Sequence, residues 1–372
     1  MGSEFRRSPT LSLARRVDSA RARGVEAYSL STPSFVDLGP RLTITSGRTS
    51  KLKPAEGDPE LRELLRDRLF GRWHLPEHDV LVTTGAKSAV YAVLRQLTEP
   101  GDTVAVVSPR WPTYDDIVQI LSCELATLDT RLEDGFQPRL ESFRALLNQH
   151  GQRLRALIIA NPNNPAGSIC GGALLKELYE LAERNGVTLI VDESFSEVIF
   201  DHEAWAGSTL ANGSPRLVVI NSLSKGFHLQ GLRVGVCFVH GEIFDAVVGI
   251  HQALNGGVSS LSQAAVLDHL KSPTGGPPMD LKPQWQETLA FIRRQGWACL
   301  PSQGTFYHFP NVGPGDAFAR ALQGSNLFYL SGDVFGTGYQ DHLRLCFARE
   351  PDELTAMLER LEACLTTGGG AA

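Results

Sequence analysis

The chain has 372 residues, 42% of them hydrophobic and 20% charged, with a formal net charge of -6. That length exceeds what one hydrophobic core usually serves and predicts two domains, one larger than the other. The mild acidity, without a long basic run, argues against nucleic acid as a partner. No apolar run reaches the roughly 18 residues of a membrane helix, so no membrane partner is expected. The N-terminal MGSEFRRSPT lacks the apolar stretch of a signal peptide, and MGSEF reads as an appended segment outside the fold. The six cysteines, at 123, 170, 237, 299, 346 and 364, form no C-x-x-C pair. They read as reduced packing residues rather than metal ligands, which predicts no metal and a cytoplasmic location.

PELRELLRDRLFGRW spaces Leu61, Leu64, Leu65 and Leu69 along one helical face. VLVTT is strand-like and KSAVYAVLRQL helical. TVAVVSP, RLRALIIANP, GVTLIVDES, RLVVINS and RVGVCFV follow as apolar strands with helical segments between most of them. Such alternation predicts an α/β fold with a mostly parallel sheet covered on both faces. Ligands in these sheets bind beyond the carboxyl ends of the strands. Here the strands run directly into TTGAK, SPRW, NPNNP, DES and NSLSK. KSPTGGPP then breaks a helical pattern at 259–294 and marks the crossing into a smaller α+β domain, with GTFYHFP, LFYL and HLRLCFA as its strand candidates. The expected divisions are an N-terminal segment at 1–45 packing on the small domain, a large domain at 46–260, the small domain at 261–367 and a disordered tail at 368–372.

Gly85, Ala86 and Lys87 stand where a strand passes into a helix. The unpaired amides of a first helical turn can hold a phosphate, although a glycine at such a junction is also an ordinary turn. Neither G-x-x-x-x-G-K-[ST] nor G-x-G-x-x-G occurs, so a nucleotide reading lacks its usual support. Lys225 lies in NSLSKGFHLQGLRVG, a run poor in other charge. A surface lysine is the plain alternative; a partly desolvated lysine among cations becomes a neutral nucleophile able to form a Schiff base. Ser222, Ser224 and Arg233 can add phosphate contacts, Arg233 through its forked, permanently charged donors. Asp192 ends a buried strand, where a carboxylate needs a partner: a helix cap, a salt bridge, or a protonated pyridine nitrogen. Asn164 in ANPNNPAG is either turn chemistry or an amide donor to a phenolate oxygen. Trp111 is either core or a stacking surface for a flat ring. Together, at strand ends and in this order, these residues describe a pocket for pyridoxal 5'-phosphate (PLP).

The motifs KPAEGDPELRELL, VTTGAKSAV, EPGDTVAVVSPRWPTY, NPNNPAG, VDES, SLSKGFHLQGLRVG, GTFYHF and HLRLCFA carry a wider likeness. From about residue 25 to residue 362 the chain resembles the fold-type I PLP-dependent aminotransferases of the aspartate aminotransferase superfamily. That resemblance implies a large domain with a mostly parallel seven-stranded sheet between helices, plus a smaller α+β domain. It implies a homodimer with shared active sites, exchanging an amino group between an L-amino acid and a 2-oxo acid. Lys225 would anchor PLP as an imine and carry the proton between substrate Cα and cofactor C4'. Asp192 would pair with the pyridine nitrogen, Asn164 with the ring oxygen, and Trp111 would stack on the ring. Gly85, Ala86, Lys87, Ser222, Ser224 and Arg233 would surround the phosphate. Arg344 would grip the substrate α-carboxylate, with Ser31 and Asn164 beside it.

Several positions depart from the family pattern. Phe195 replaces the tyrosine of D-E-x-Y beside the cofactor, which predicts a raised pKa for the imine. Leu52 stands for a tyrosine that reaches the partner chain's phosphate, Ser31 for a glycine, and Ala166 for a threonine. Capreomycidine synthase, a PLP-dependent cyclase, is similar at the phenylalanine and the lysine loop. The alternative of PLP-dependent elimination, replacement or cyclisation in specialised metabolism therefore stays open. Arg48, Lys51 and Lys53 could meet an acidic substrate side chain or simply be solvated.

Overall fold

The computed structural model describes residues 8–34, 51–210, 213–272 and 280–368. In chain order its strands are β1 (Tyr28–Ser29), β2 (His78–Thr83), β3 (Thr103–Ser108), β4 (Glu124–Asp129), β5 (Leu154–Ala160), β6 (Thr188–Asp192), β7 (Leu217–Ser222), β8 (Gly235–His240), β9 (Tyr307–His308), β10 (Leu327–Phe328) and β11 (Leu345–Cys346). The α-helices are α1 (Pro9–Arg21), α2 (Pro59–Phe70), α3 (Ala86–Leu97), α4 (Thr113–Ile120), α5 (Leu140–His150), α6 (Gly172–Arg184), α7 (His202–Gly207), α8 (Gly241–Asn255), α9 (Ser260–Lys271), α10 (Lys282–Arg294), α11 (Gly315–Ala321) and α12 (Pro351–Gly368).

A seven-stranded sheet runs in the order β2-β8-β7-β6-β5-β3-β4. Only β8 is antiparallel to its neighbours; the rest of the sheet is parallel. Alternate residues of each strand enter two different cores. Val80, Val82, Leu157, Ile159, Leu189, Val191, Val219 and Phe238 pack with α2, α5, α6 and α9 on one face. Leu81, Val104, Val106, Ile158, Ile190, Val218, Ile220 and Cys237 pack with α3, α4 and α8 on the other. Burying each such side chain contributes about 1.5–3 kcal/mol, which is why the strands read as continuous apolar runs. β4 is the exception. It lies at the sheet edge with only Ala126 and Leu128 buried, and its sequence ELATLD carries no strong strand signal.

The topology decides where the chemistry sits. β2, β3, β5, β6 and β7 share one direction, so their carboxyl ends open on one side of the sheet. β8 runs the other way, and its beginning falls on that same side, with Gly235 opposite both Thr83 and Ser222. Arg233, just before β8, is therefore delivered to the strand ends that carry Gly85 and Lys225.

The second unit is built on shorter strands. β9 pairs with β11 antiparallel, and β1 pairs with β10 in parallel. Phe291, Ile292, Phe306, Leu343, Phe347, Leu354 and Leu361 form its core, joined by Leu30 from the N-terminal segment and Phe195 from the sheet unit. Leu13 of α1 packs beside Phe309, Leu330 and Phe335. α9 lies beyond the boundary expected at 260, yet its Val266, Leu267 and Leu270 belong to the sheet unit's core. The side chain of Gln263 on α9 also accepts from the Asp58 amide at the start of α2 (2.7 Å). The 45/46 division, MGSEF, Arg48 and the tail beyond Gly368 lie outside the described residues. Among those described, no helix is long and apolar enough to cross a membrane, and no cluster of His, Cys, Asp and Glu could hold a metal ion.

Candidate active site

Gly85 caps α3 with φ +75°, a conformation that favours glycine. A Cβ built there would lie 2.6 Å from Nη2 of Arg233, so the missing side chain lets the guanidinium close on the loop. Arg233 is itself left-handed at φ 54°, and its Nη1 donates to the Gln230 carbonyl (3.1 Å). Gly235 has no room for a Cβ against the Gly85–Ala86 backbone, which brings β8 directly under the first turn of α3. Ser222 and Ser224 complete this end, with the Ser224 amide donating to Ser222 Oγ (3.2 Å). Free helix amides, two hydroxyls and a forked cation make a nest for a dianion.

β6 ends in two adjacent buried acids. Glu193 forms an ion pair with Arg72 and accepts from Trp73 Nε1 at 3.1 Å. Burial pushes its pKa up to about 7, opposed by Arg72. Asp192, 4% exposed, has no cation against it among the described residues. Oδ1 accepts from the Ser194 amide (3.0 Å) and hydroxyl (2.6 Å), and Oδ2 accepts from Tyr114 Oη (2.6 Å). Burial raises the Asp192 pKa, and these hydrogen bonds pull it back.

Lys225 lies between these ends and has no hydrogen-bond or ion-pair partner among the described residues. Its pKa is lowered to about 8, by burial first and then by the charges of Arg344, Arg233 and Lys87. Arg344, 2% exposed, donates from Nε and Nη2 to the Ser31 carbonyl (3.2 and 2.8 Å) and from Nη1 to Asn164 Oδ1 (3.1 Å). It lies over the ring of Tyr307, 4.3 Å from the centroid. Because Asn164 gives its oxygen to Arg344, its amide N–H groups remain for another acceptor. Phe195 packs edge-on to Phe306 (5.1 Å) and Tyr307 (5.9 Å) and supplies no donor.

These groups line one cavity of about 500 Å³. Lys87, Trp111, Asn164, Asp192, Lys225 and Arg344 face it, as do Ala86, Phe195, Ser222, Ser224 and Arg233. Lys87 Nζ sits 5.1 Å from the centre of the Trp111 ring. Two expected residues do not line the cavity. Gly85 acts by leaving room for Arg233. Ser31 is fully buried; its carbonyl accepts from Arg344 and its hydroxyl from the Leu330 amide (3.0 Å). Leu52, 78% exposed, and Lys51 and Lys53 are also absent from the lining, and Lys53 pairs with Asp58 at 2.5 Å.

The structure adds residues that the sequence did not single out: Tyr114, Ser194, Gln230 and Tyr307, with Ser8, Thr10 and Leu11 at the start of α1. Tyr114 stands three positions after Trp111, one helical turn on, and only that spacing hints at it. The cavity fits PLP on this structure's own terms. It offers an anion nest made possible by Gly85, an aromatic face at Trp111 and, among the described residues, an amine without a hydrogen-bond partner and a carboxylate without a cation.

The sequence pattern of the family described as aminotransferase class I and II matches residues 29–361. The aspartate aminotransferase of Thermotoga maritima is 27% identical over 376 residues, covering 98% of both chains. The aspartate/prephenate aminotransferase of Thermus thermophilus is 25% identical over 379 residues, covering 96% of each. The crystal structure of the Thermotoga maritima enzyme superposes with a TM-score of 0.83 at 25% identity, over 97% of this chain and 98% of that one. The Thermus thermophilus aspartate aminotransferase with maleate gives 0.84 at 23% identity, covering 98% and 100%, and supports the fold. These comparisons do not favour the elimination or cyclisation alternative, and the likeness to capreomycidine synthase finds no support in them. The chain belongs to the aminotransferase class I and II family and is a PLP-dependent aminotransferase of the fold-type I architecture.

Proposed function

We propose that this cavity carries the transfer of an amino group from an L-amino acid to a 2-oxo acid, with Lys225 as the covalent anchor and proton carrier. The observation that carries the reading is the Lys225 amine, depressed to about 8 by burial and three neighbouring cations and facing the one cavity that also holds Asp192. Bound PLP supplies the electron sink that makes a substrate α-hydrogen acidic. The rest is work for this chain's side chains. Ala86, Ser222, Ser224 and Arg233 hold the phosphate, with Gly85 leaving space and Lys87 adding charge. Trp111 supports one ring face, Asn164 donates to the ring oxygen, and Asp192 pairs with the ring nitrogen. Arg344, pinned by Ser31 and Asn164, takes the substrate α-carboxylate. Lys225 Nζ, once neutral, accepts the α-proton and returns it. Phe195 and Tyr307 wall off water with apolar rings.

A homodimer and a cytoplasmic setting belong to the same proposal. Six free thiols support a reducing compartment. Leu52, Leu254 and Leu261 support an interface: they are 78%, 56% and 44% exposed, and the hydrogen bond from Ser260 Oγ to the Lys51 carbonyl (2.8 Å) brings Leu52 and Leu261 to one region. We take the small domain to begin after α9 rather than at 261, because Val266, Leu267 and Leu270 pack in the sheet unit's core.

Reduction with borohydride in the presence of PLP tests the anchor. Wild-type protein should retain a cofactor adduct on the peptide containing Lys225, and K225A should retain none while still binding PLP reversibly. An adduct on another lysine contradicts the assignment.

A further inference from the structure

The strand end at Asp192 and Glu193 sorts its partners by charge. Arg72 goes to Glu193 and is held there by the Trp205 ring, 3.7 Å beneath its guanidinium, and by the Ser208 carbonyl (2.7 Å). Among the described residues Asp192 receives only neutral donors. A carboxylate oxygen accepts about two hydrogen bonds. Oδ1 already has two, both from Ser194, whereas Oδ2 has one, from Tyr114. The remaining lone pair of Asp192 therefore belongs to Oδ2, the oxygen that Tyr114 holds.

Tyr114 is built to stay in place. It is 1% exposed, its ring meets Trp111 edge-on at 5.5 Å and 85°, and it packs among Ile117, Val118 and Ile158 between α4 and the sheet. Burial and the Asp192 charge keep its own hydroxyl protonated well above the ordinary tyrosine range, so it is a donor at any working pH.

We propose that Tyr114 is a positioning residue for Asp192, turning the open lone pair of Oδ2 toward the cavity and keeping the shared proton on the cofactor's ring nitrogen rather than on the carboxylate. The inference rests on the reading that Asp192 meets that nitrogen. Without the Tyr114 hydrogen bond, a buried carboxylate that has no cation becomes more basic and takes the proton for itself. The ring would then lose the positive charge on which its electron withdrawal depends.

The test uses apoprotein and ring-15N-labelled 4-deoxypyridoxine 5'-phosphate, an analogue without the aldehyde, so that Lys225 plays no covalent part. The nitrogen chemical shift reports whether the ring is protonated. In wild type it should be protonated at neutral pH. In Y114F the ratio of protonated to unprotonated ring should fall about tenfold, the effect of a one-unit change in the relative basicity of the pair. Placing 3-fluorotyrosine at position 114 preserves the shape and sharpens the donor, and should move the ratio the opposite way; it serves equally if Y114F does not fold. Unchanged nitrogen shifts in the bound variants overturn the role of Tyr114. A wild-type complex with an unprotonated ring overturns the pairing of Asp192 itself, which is a separate failure.

Discussion

Lys225 shows how much a single position depends on its surroundings. A lysine in water keeps its proton to a pKa of 10.5, but this one gives it up near 8 because burial and three cations disfavour the charge. The rate at which apoprotein captures PLP covalently should therefore rise with pH through about 8 and level off, as followed by stopped-flow absorbance. A rate that keeps climbing to the ordinary lysine value would contradict the electrostatic account. The sign for stability follows. Between the folded value and 10.5 the unfolded chain binds more protons, so the apoprotein gains stability as pH rises through that window. Lys225, Asp192 and Asn164 were legible in the sequence because each ends or follows an apolar strand, and Arg233 and Arg344 because each leads into one, all in motifs of fixed spacing. Tyr114 was not. Its partner is 78 positions away, and the bond exists only once α4 lies against β6. The Ser31 bond to Arg344 was not legible, since it is made by a carbonyl that every residue possesses.

At the scale of elements, the site is a product of strand direction. β8 alone reverses, and that reversal puts Arg233 against the Gly85 loop. G85A should accordingly lose far more cofactor affinity than fold. The new methyl group would push on Nη2 of Arg233 and strain a φ of +75°, while nothing else crowds the position. Equilibrium dialysis with PLP should show binding weaker by about tenfold or more, the loss expected for one charged hydrogen bond, alongside a small change in thermal midpoint. Equal losses in both would show that Gly85 serves the fold instead. The apolar strands of the sheet were readable because both of their faces are buried. β4 was not, because only Ala126 and Leu128 are buried in it and ELATLD carries little apolar signal. In the second unit β9, β10 and β11 fall inside GTFYHFP, LFYL and HLRLCFA, whereas β1, Tyr28–Ser29, is too short for periodicity to mark it.

Across the whole molecule, two units meet at the cavity: the sheet supplies Lys225 and Asp192, and the second unit supplies Tyr307 and Arg344. The likeness to known aminotransferases covers nearly the whole chain. Light scattering after gel filtration should give twice the chain mass, and L52D should shift the protein toward monomer; a monomeric wild type would remove the proposed shared site. The most direct test of the account is a single turnover. PLP-loaded protein mixed with an amino-acid panel, without any 2-oxo acid, should convert with at least one member to the pyridoxamine 5'-phosphate form, releasing one equivalent of 2-oxo acid. A spectrum that returns to its starting form while ammonia is released would show elimination, and would contradict transamination as the reaction of this chain.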